Sequence, residues 1–390
     1  MKKKLTIVLA LLLAFSIFAV ACGGDKKEDE KKEEAPAEDK AEDKAEDKAE
    51  EAADDAEKPA ADGDIHIEVV SKGESHAFWK AVKSGAEQAA EDLGVSMFFT
   101  GPPSETETQV QVQMLENALN KDPDAICLAA LDVNSVKASL EDAMNRGIPV
   151  IGFDSGVPGA PEGSIYANAS TNNNAAGGLA AEELFKLVEE EVNAATPDAQ
   201  VKIGVLSQDA NSESIIGRTQ GFIDKMTELV GEDKVAVVGS SMYEAGDAAS
   251  ASVVLVVNIS ATPDDADLTS SATALFAEEN VIAIYGSNEG AARGLINGND
   301  AAGHVLGNRA EDPSKIWGVG FDAGLLQKDA VRDGRLVGAI TQDPVQIGYK
   351  AVELAVKAAK GEAVEDVDTG AKWYNAENVD DPDMAVLVYD

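Results

Sequence analysis

Between residues 65 and 341 the chain alternates short apolar segments with longer amphipathic ones, and this alternation constrains the fold more than any other feature. The short segments are rich in Val and Ile and too short for helices, which predicts β-strands at 65–70, 96–100, 125–130, 150–153, 164–167, 201–207, 235–239, 281–287, 316–321 and 336–341. Helical spacing of apolar residues predicts helices at 78–93, 107–121, 133–146, 175–193, 216–229, 290–298 and 344–360. Strands and helices in alternation predict parallel sheets with right-handed crossovers and helices on both faces.

Polar and aromatic side chains follow six of the predicted strands. These segments are 71–79, 154–155, 207–218, 288–289, 322–323 and 342–343. Ligand sites of open parallel sheets lie beyond the carboxyl ends of the strands, so the six segments are expected to converge on one cleft. A folded region of roughly three hundred residues is larger than one core usually serves, which favours two lobes.

The N-terminus has the pattern of an export signal. Three lysines at 2–4 precede an apolar run at 5–21, and Cys22-Gly23-Gly24 follows. The run is near the lower length limit for a transmembrane helix, and dense charge follows it, which favours a signal peptide at 1–21. Ala19-Val20-Ala21-Cys22 resembles the lipobox of bacterial lipoproteins, although Ala19 stands where Leu is commoner. That resemblance implies a diacylglycerol on Cys22, which becomes the mature N-terminus; secretion without a lipid is the alternative.

Residues 22–63 predict a disordered acidic linker. The stretch 25–62 carries eighteen acidic and eight basic side chains and no aromatic or β-branched residue, so it cannot form a core. Its Ala-Glu-Asp-Lys repeats could form a transient helix through Glu-to-Lys pairs, but mutual repulsion favours an extended tether.

Composition also excludes several classes of function. The formal net charge of −39 argues against nucleic acid as a partner. Beyond Cys22 the only cysteine is Cys127, in an apolar segment, where a buried core residue is expected. The three histidines match no metal motif, and there is no nucleophile elbow and no phosphate loop, so neither a cofactor nor catalysis is expected. Asp154 and Asp322 could still mimic a glycosidase carboxylate pair.

From about residue 65 to about residue 374 the chain resembles the ribose-type (type I) periplasmic sugar-binding proteins. Seven landmarks occur in family order: Phe78-Trp79 with Gly85-Ala86, the segment 148–154, Asn172 with Gly177-Gly178, the segment 217–222, the segment 286–289, the segment 318–322 and the segment 341–348. The resemblance implies an α/β protein of two doubly wound parallel-sheet lobes joined by a three-strand hinge. The N-terminal lobe would comprise 64–168 with 343–370, and the C-terminal lobe 169–342 with 371–390.

The same resemblance places ligand-binding roles on particular residues. The expected ligand contacts are His76, Phe78, Trp79, Asp154, Ser155, Arg218, Tyr243, Asn288, Asp322 and Gln342. Aromatic planes suit the C–H faces of a sugar ring, and forked hydrogen-bonding groups suit its hydroxyl rim. Bland alternatives remain for some of them: one of the two adjacent aromatics could face the core, the two aspartates could only cap turns, and His76 could be a solvated loop residue.

Departures from the family pattern indicate which class of ligand the site would bind. Ribose-type members have an Arg after the first binding Asp, whereas Ser155 follows Asp154 here, which removes a charged fork. Trp79 in place of a second Phe enlarges the stacking surface, favouring a hexose, a sugar alcohol or a related polyol. Tyr243 is expected to close the opposite face of the cleft. The β-branched segment 252–260 is a poor match to the helix that the family has there, and 262–273 is interpreted as an insertion.

The expected function is capture of a monosaccharide or polyol outside the cytoplasm, followed by delivery to the permease of an ATP-driven (ABC) importer. The lipid would hold the receptor, expected to be a monomer, at the membrane. A second hypothesis keeps the fold and gives the protein a sensing role for a chemoreceptor or sensor kinase. A transcription regulator of the lactose-repressor type shares this core, but a signal peptide, Cys22 and an acidic linker stand where a helix-turn-helix would be.

Overall fold

The structure, a computed structural model, describes residues 65–389. The predicted signal peptide 1–21, the lipidation site Cys22 and the linker 22–63 lie outside the described residues. Within 65–389, every helix is too short or too polar to span a bilayer.

Thirteen strands and ten α-helices are found in the described part of the chain, together with a 3-10 turn at Glu232–Lys234. The strands are β1 His66–Val70, β2 Ser96–Thr100, β3 Ala125–Leu128, β4 Val150–Phe153, β5 Ile165–Ser170, β6 Val201–Ser207, β7 Val235–Val238, β8 Val253–Ile259, β9 Val281–Gly286, β10 Trp317–Phe321, β11 Gly338–Gln342, β12 Val367–Asp368 and β13 Ala371–Asn375. The helices are α1 Ala77–Leu93, α2 Thr108–Leu119, α3 Lys137–Arg146, α4 Asn173–Ala194, α5 Glu213–Val230, α6 Asp265–Phe276, α7 Glu289–Ala301, α8 Leu325–Arg332, α9 Pro344–Ala359 and α10 Pro382–Ala385.

The strands form two separate sheets, one in each lobe. The N-terminal sheet has the order β12-β5-β4-β3-β1-β2, and all its pairings are parallel. The C-terminal sheet has the order β13-β11-β10-β9-β6-β8-β7 and is parallel except for the pair β11–β13. The prediction of two parallel-sheet α/β lobes is confirmed.

Each sheet is buried on both faces, as a doubly wound fold requires. In β3, Ile126 and Leu128 belong to one apolar cluster and Cys127 to another, because successive side chains point to opposite faces of a strand. Cys127 is the buried core residue that the sequence predicts, and burial raises the pKa of its thiol.

The chain passes between the lobes three times. The passages fall between β5 and α4, between β11 and α9, and between β12 and β13, because these consecutive elements belong to different lobes. Helix α9 packs on α1 and on β3, β4 and β5, so the N-terminal lobe is completed by a helix from near the end of the chain.

Two neighbouring glycines of α4 show how closely α4 and α5 approach. A Cβ added at Gly177 would lie 2.1 Å from the carbonyl oxygen of Arg218, whereas one at Gly178 would meet nothing closer than 3.6 Å. Gly177 therefore lets α5 pack at a distance that no larger residue permits. Since Arg218 lies on α5, this contact also determines the position of Arg218 relative to the cleft.

The segment 252–276, for which the sequence predicted no regular element, contains a strand and a helix. Residues 253–259 form β8, which pairs with β6 along its whole length, and the proposed insertion contains helix α6, which packs on α7. Strand β8 explains why 252–260 is a poor match to a helix, whereas the interpretation of 262–273 as an insertion relative to the family stays a prediction. The many Ser, Thr and Asp residues of α6 weaken its helical pattern, whereas its contacts with Gly294 and Gly298 of α7 stabilise it in the fold.

Candidate ligand-binding cleft

A cavity of about 200 Å³ lies between the two lobes, at the carboxyl ends of their strands. Its polar and aromatic lining comprises Lys72, Ser75, His76, Phe78, Trp79, Ser104, Glu105, Asp154, Gln208, Arg218, Asn288, Glu289, Arg293, Asp322 and Gln342. The six predicted strand ends do meet here, joined by residues that follow β2 and β8. The volume is below the ~300–1,000 Å³ typical of pockets for drug-sized ligands and suits a single small ring.

Two aromatic side chains at the start of α1 form one wall of the cavity. The rings of Phe78 and Trp79 meet edge to face, 4.9 Å apart at 89°. Trp79 Nε1 donates to Glu105 Oε1 at 2.8 Å, which fixes the indole plane. Both aromatics therefore line the cavity, although both also pack against the N-terminal core.

A buried ion pair lies beside this wall. Lys72 Nζ is 2.8 Å from Asp154 Oδ2 and 5.7 Å from the centre of the Trp79 ring. Burial acts to lower the pKa of Lys72, but Asp154 and Glu105 outweigh it and the pKa is raised, so the ammonium stays charged. Asp154 has a φ of +56°, a left-handed conformation that turns the chain sharply after β4.

The opposite wall comes from the C-terminal lobe and centres on Asp322. Its Oδ1 accepts from Gln342 Nε2 at 2.7 Å, and its Oδ2 accepts from the backbone N–H of Glu289 at 3.1 Å. Burial raises the pKa of Asp322 despite the Arg218 guanidinium, whose Nη1 is 3.7 Å from Oδ2. Gln342 Oε1 is buried and has no hydrogen-bond partner among residues 65–389.

Arg218 is held rigidly between the two walls. Its Nε donates to Asn173 Oδ1 at 2.9 Å, and its guanidinium lies 3.9 Å from the centre of the Phe321 ring. A guanidinium fixed on one edge and one face presents its remaining N–H groups in a defined direction.

Asn288 and Gln208 form a hydrogen-bonded chain along the cavity. Asn288 Oδ1 caps α7 by accepting from the N–H of Ala291, and its Nδ2 donates to Gln208 Oε1 at 2.7 Å. Gln208 Nε2 donates to Glu105 Oε2 at 3.2 Å, which joins the C-terminal lobe to the N-terminal lobe.

His76 has two separate roles in the structure. Its Nδ1 accepts from the N–H of Phe78 and caps α1, while Nε2 faces Glu289 Oε1 across the cleft at 3.1 Å. Burial acts to lower the pKa of His76, but Glu289, Glu105 and Asp322 outweigh it and the pKa is raised. His76 is therefore an interlobe contact rather than a solvated loop residue.

Two predicted site residues do not line the cavity. Ser155 is fully buried at the lobe junction, where its Oγ accepts from the N–H of Ser214 and lies 3.2 Å from Ser212 Oγ. Tyr243 lies in the C-terminal core, because the loop after β7 folds back onto that strand through the pairing of Val237 with Ala245. The prediction that Tyr243 closes the opposite face of the cleft is wrong, and burial raises the pKa of its phenol to about 12.

Sequence reasoning missed several cavity residues, and Lys72, Glu105 and Gln208 are the most informative of them. Lys72 lies in a predicted strand-end segment but looks like a solvated loop lysine, and Gln208 has no motif of its own. Glu105 follows β2, a strand whose end the sequence analysis did not assign to the cleft. Only the fold brings these three side chains against Asp154, Asn288 and Trp79.

The charges that line the cavity almost cancel. The carboxylates of Glu105, Asp154, Glu289 and Asp322 face the cations of Lys72, Arg218 and Arg293, with His76 beside them. Paired in this way, the groups offer many hydrogen-bond donors and acceptors and little net field. Such a site suits a neutral ligand with several hydroxyl groups better than an ion.

Two α/β lobes that meet over a polar, aromatic-walled cavity and are joined by three chain passages define a hinged ligand-binding protein. A sequence model of the periplasmic binding protein domain matches residues 67–363. The chain therefore belongs to the periplasmic binding protein family, a family of sugar-binding transport proteins found outside the cytoplasm.

Individual relatives agree with this assignment. The D-allose-binding periplasmic protein of Escherichia coli K12 is 24% identical over 313 residues, covering 78% of this chain and 88% of that protein. A solved structure from Brachyspira murdochii, described as "ABC transporter, LacI family transcriptional regulator", is 40% identical with a TM-score of 0.71, covering 84% of this chain and 99% of that one. An ABC transporter solute-binding protein from Agrobacterium vitis with bound D-fucose is 28% identical with a TM-score of 0.68, covering 83% and 100%.

Proposed function

We propose that the protein captures a monosaccharide or related polyol in the interlobe cavity and delivers it to the permease of an ABC importer. The observation that carries this proposal is the combination of an aromatic wall from one lobe with a charge-balanced polar wall from the other. The alternative of a sensing role has no feature of the described residues in its favour.

The physical case rests on matching a sugar ring to the cavity. The C–H face of a pyranose would pack on Phe78 and Trp79, and its hydroxyls would bond to Asp154, Arg218 and Asp322. Gln342 Oε1 needs a donor that a hydroxyl supplies. In a desolvated site each hydrogen bond to a charged group contributes roughly 1.5–3 kcal/mol, so a missing hydroxyl is strongly disfavoured.

Relatives favour a monosaccharide as the ligand class. Those with names or bound ligands include a D-allose-binding protein, ribose import binding proteins, a protein with D-fucose and a protein with α-D-tagatopyranose. All of these ligands are single sugars, which agrees with the size of the cavity. Within that class we propose contacts from His76, Phe78, Trp79, Asp154, Arg218, Asn288, Asp322 and Gln342, joined by Lys72 and Glu105.

Delivery would follow from hinge closure. The proposed lobes, 64–168 with 343–370 and 169–342 with 371–390, would separate when empty and close on the sugar. Contacts already bridge them in this structure, including Lys72 Nζ to Ser214 Oγ at 3.1 Å and the backbone pair of Val133 with Asn211. A ligand that touches both walls stabilises the closed state, which the permease would recognise.

We further propose that the chain is exported by the signal peptide 1–21, lipidated on Cys22 and tethered through the acidic linker 22–63. The receptor would act as a monomer, with no cofactor and no catalysis. A tether raises the local concentration of the receptor near its permease.

The test is a thermal-shift screen of the mature chain carrying Cys22→Ser. The panel would contain D-allose, D-fucose, D-tagatose, D-ribose, D-arabinose and myo-inositol, with nucleosides and amino acids as alternatives. A ligand at 100 times its Kd stabilises the fold by about 2.7 kcal/mol. Arg218→Ala should remove the shift; a shift with amino acids or nucleosides and with no sugar would reject the proposal.

A further inference from the structure

The last described residue of the chain, Tyr389, packs against two cavity-lining residues, His76 and Phe78. The tail that carries it belongs to the C-terminal lobe: Met384 and Leu387 are buried in that core, and Thr341 Oγ1 donates to the carbonyl of Leu387 at 2.9 Å. Thr341 immediately precedes Gln342, so the tail is attached beside a cavity-lining residue.

The ring of Tyr389 leaves its own lobe and packs on the other. It lies 5.9 Å from the Phe78 ring at 69° and 6.4 Å from the His76 ring at 73°, both in edge-to-face geometry. It also packs against the apolar cluster of the N-terminal lobe. Phe78 and His76 both line the cavity, so the tail residue touches the ligand wall from behind.

The hydroxyl of Tyr389 returns to the C-terminal lobe. It donates to Glu289 Oε2 at 2.8 Å, and Glu289 Oε1 faces His76 Nε2. The backbone N–H of Tyr389 donates to the carbonyl of Ala323 at 3.4 Å, next to Asp322. Burial, with Asp322 and Glu289 nearby, raises the pKa of Tyr389 well above its ordinary value, so the phenol remains a donor.

We propose that Tyr389 is a positioning residue of the sugar site, which orients Glu289 through its hydroxyl and holds Phe78 and His76 in the closed conformation through its ring. The inference rests on the proposed function and extends it. When the lobes separate, Tyr389 stays with Glu289 but loses the aromatic contacts, so those contacts stabilise only the closed state. Their main effect is therefore on sugar release.

The test compares Tyr389→Ala and Tyr389→Phe in the mature chain with Cys22→Ser and a free C-terminus. The probe is whichever of D-allose, D-fucose or D-tagatose gives the largest thermal shift. Losing two edge-to-face contacts should make Tyr389→Ala release the sugar about tenfold faster, with little change in association rate. Tyr389→Phe keeps the ring and should release it more slowly than Tyr389→Ala does.

Controls separate positioning from general stability. Tyr166 is half-exposed on the N-terminal lobe, so Tyr166→Ala should leave the release rate unchanged. The effects of Tyr389→Phe and Glu289→Gln on affinity should be non-additive, because the hydroxyl acts through that carboxylate. This double-mutant cycle does not use Tyr389→Ala, so it tests the inference even if Tyr389→Ala fails to fold. The inference is wrong if Tyr389→Ala releases the sugar at the wild-type rate. It is also wrong if the effects of Tyr389→Phe and Glu289→Gln on affinity are additive. If the wild type binds no sugar, the proposed function fails and the inference fails with it.

Discussion

At the scale of single residues, Lys72 is the clearest case of a side chain whose role depends on its partner. Its ammonium neutralises Asp154 at the wall of the cavity, and both side chains are almost completely buried. The charged fork expected after Asp154 is absent because Ser155 stands there, and a cation from another loop, Lys72, pairs with Asp154.

Lys72→Met is expected to lower the free energy of unfolding by about 3–5 kcal/mol, because it leaves the Asp154 carboxylate buried without a counter-ion. Urea denaturation would measure the change. Lys72→Met with Asp154→Leu should recover much of the loss, and Lys80→Met, at an exposed position of α1, should have almost no effect. An equal loss in the single and double variants would contradict the ion-pair explanation.

A second residue-scale prediction concerns pH. The raised pKa of His76, whose Nε2 faces Glu289 across the cleft, means that protonation would favour the proposed closed state, since the proton strengthens the contact with Glu289. Protonation of Nδ1 also removes the cap that His76 provides for α1. This loss is the same in the open and closed states, so it does not change the equilibrium between them. The contribution of His76 is complete below its ordinary pKa of about 6.5 and disappears as pH rises through the raised value.

Sugar affinity should therefore be higher at about pH 6 than at about pH 8, as isothermal titration calorimetry would show. His76→Asn should flatten this dependence. His304→Asn is the matched control, because His304 is largely exposed and far along the chain from the cleft residues of α1. A pH dependence that survives in His76→Asn would assign it to another group.

At the scale of elements, the adjacent glycines of α4 give a matched pair of substitutions. Gly177→Ala places a Cβ against the backbone of Arg218, and overpacking of this kind costs about 1–3 kcal/mol. Because the displaced residue binds the proposed sugar, affinity should fall as well. Gly178→Ala has room for its methyl group and should stabilise the helix by up to about 1 kcal/mol.

Thermal melting with and without sugar would measure both effects. If Gly177→Ala melts and binds like the wild type, α4 and α5 do not set the position of Arg218.

Helices and strands could be predicted where the sequence pattern is strong. They were missed where tertiary contacts, rather than the local pattern, determine the secondary structure. Strands β2, β4 and β6 match the predicted bounds, because short segments of β-branched or aromatic residues between turns favour strands. Helix α6 escaped prediction, since its pattern is weak and its packing on α7 stabilises it. Helix α8, of eight residues, and strand β13, of five, were also not predicted.

The same division holds for the site. Asp154, Asp322 and Gln342 were predictable because they follow strands whose ends had to converge. Tyr243 was wrongly assigned to the cleft because nothing local shows that its loop folds back over β7. Lys72, Glu105 and Gln208 matter through partners distant in sequence, which spacing alone does not reveal.

At the scale of the whole molecule, the proposed anchor makes a prediction about location. In a bacterial host that processes lipoproteins, the full chain should fractionate with membranes, and mass spectrometry should find acyl chains on Cys22. Cys22→Ser should move the protein to the soluble fraction. Cys127→Ser should leave it on the membrane, because Cys127 is a core residue; membrane retention of Cys22→Ser would reject lipidation as the anchor.

The position of α9 has a consequence for how the protein matures. The apolar face of this helix, including Ile347, Ala351 and Val352, completes the core of the lobe whose first strand begins at His66. If the chain is exported as proposed, strands β1 to β5 therefore lack part of the interior of their lobe until α9 has also been translocated. During that interval the sheet between β1 and β5 exposes apolar surface, a state prone to aggregation that extracytoplasmic chaperones would need to cover.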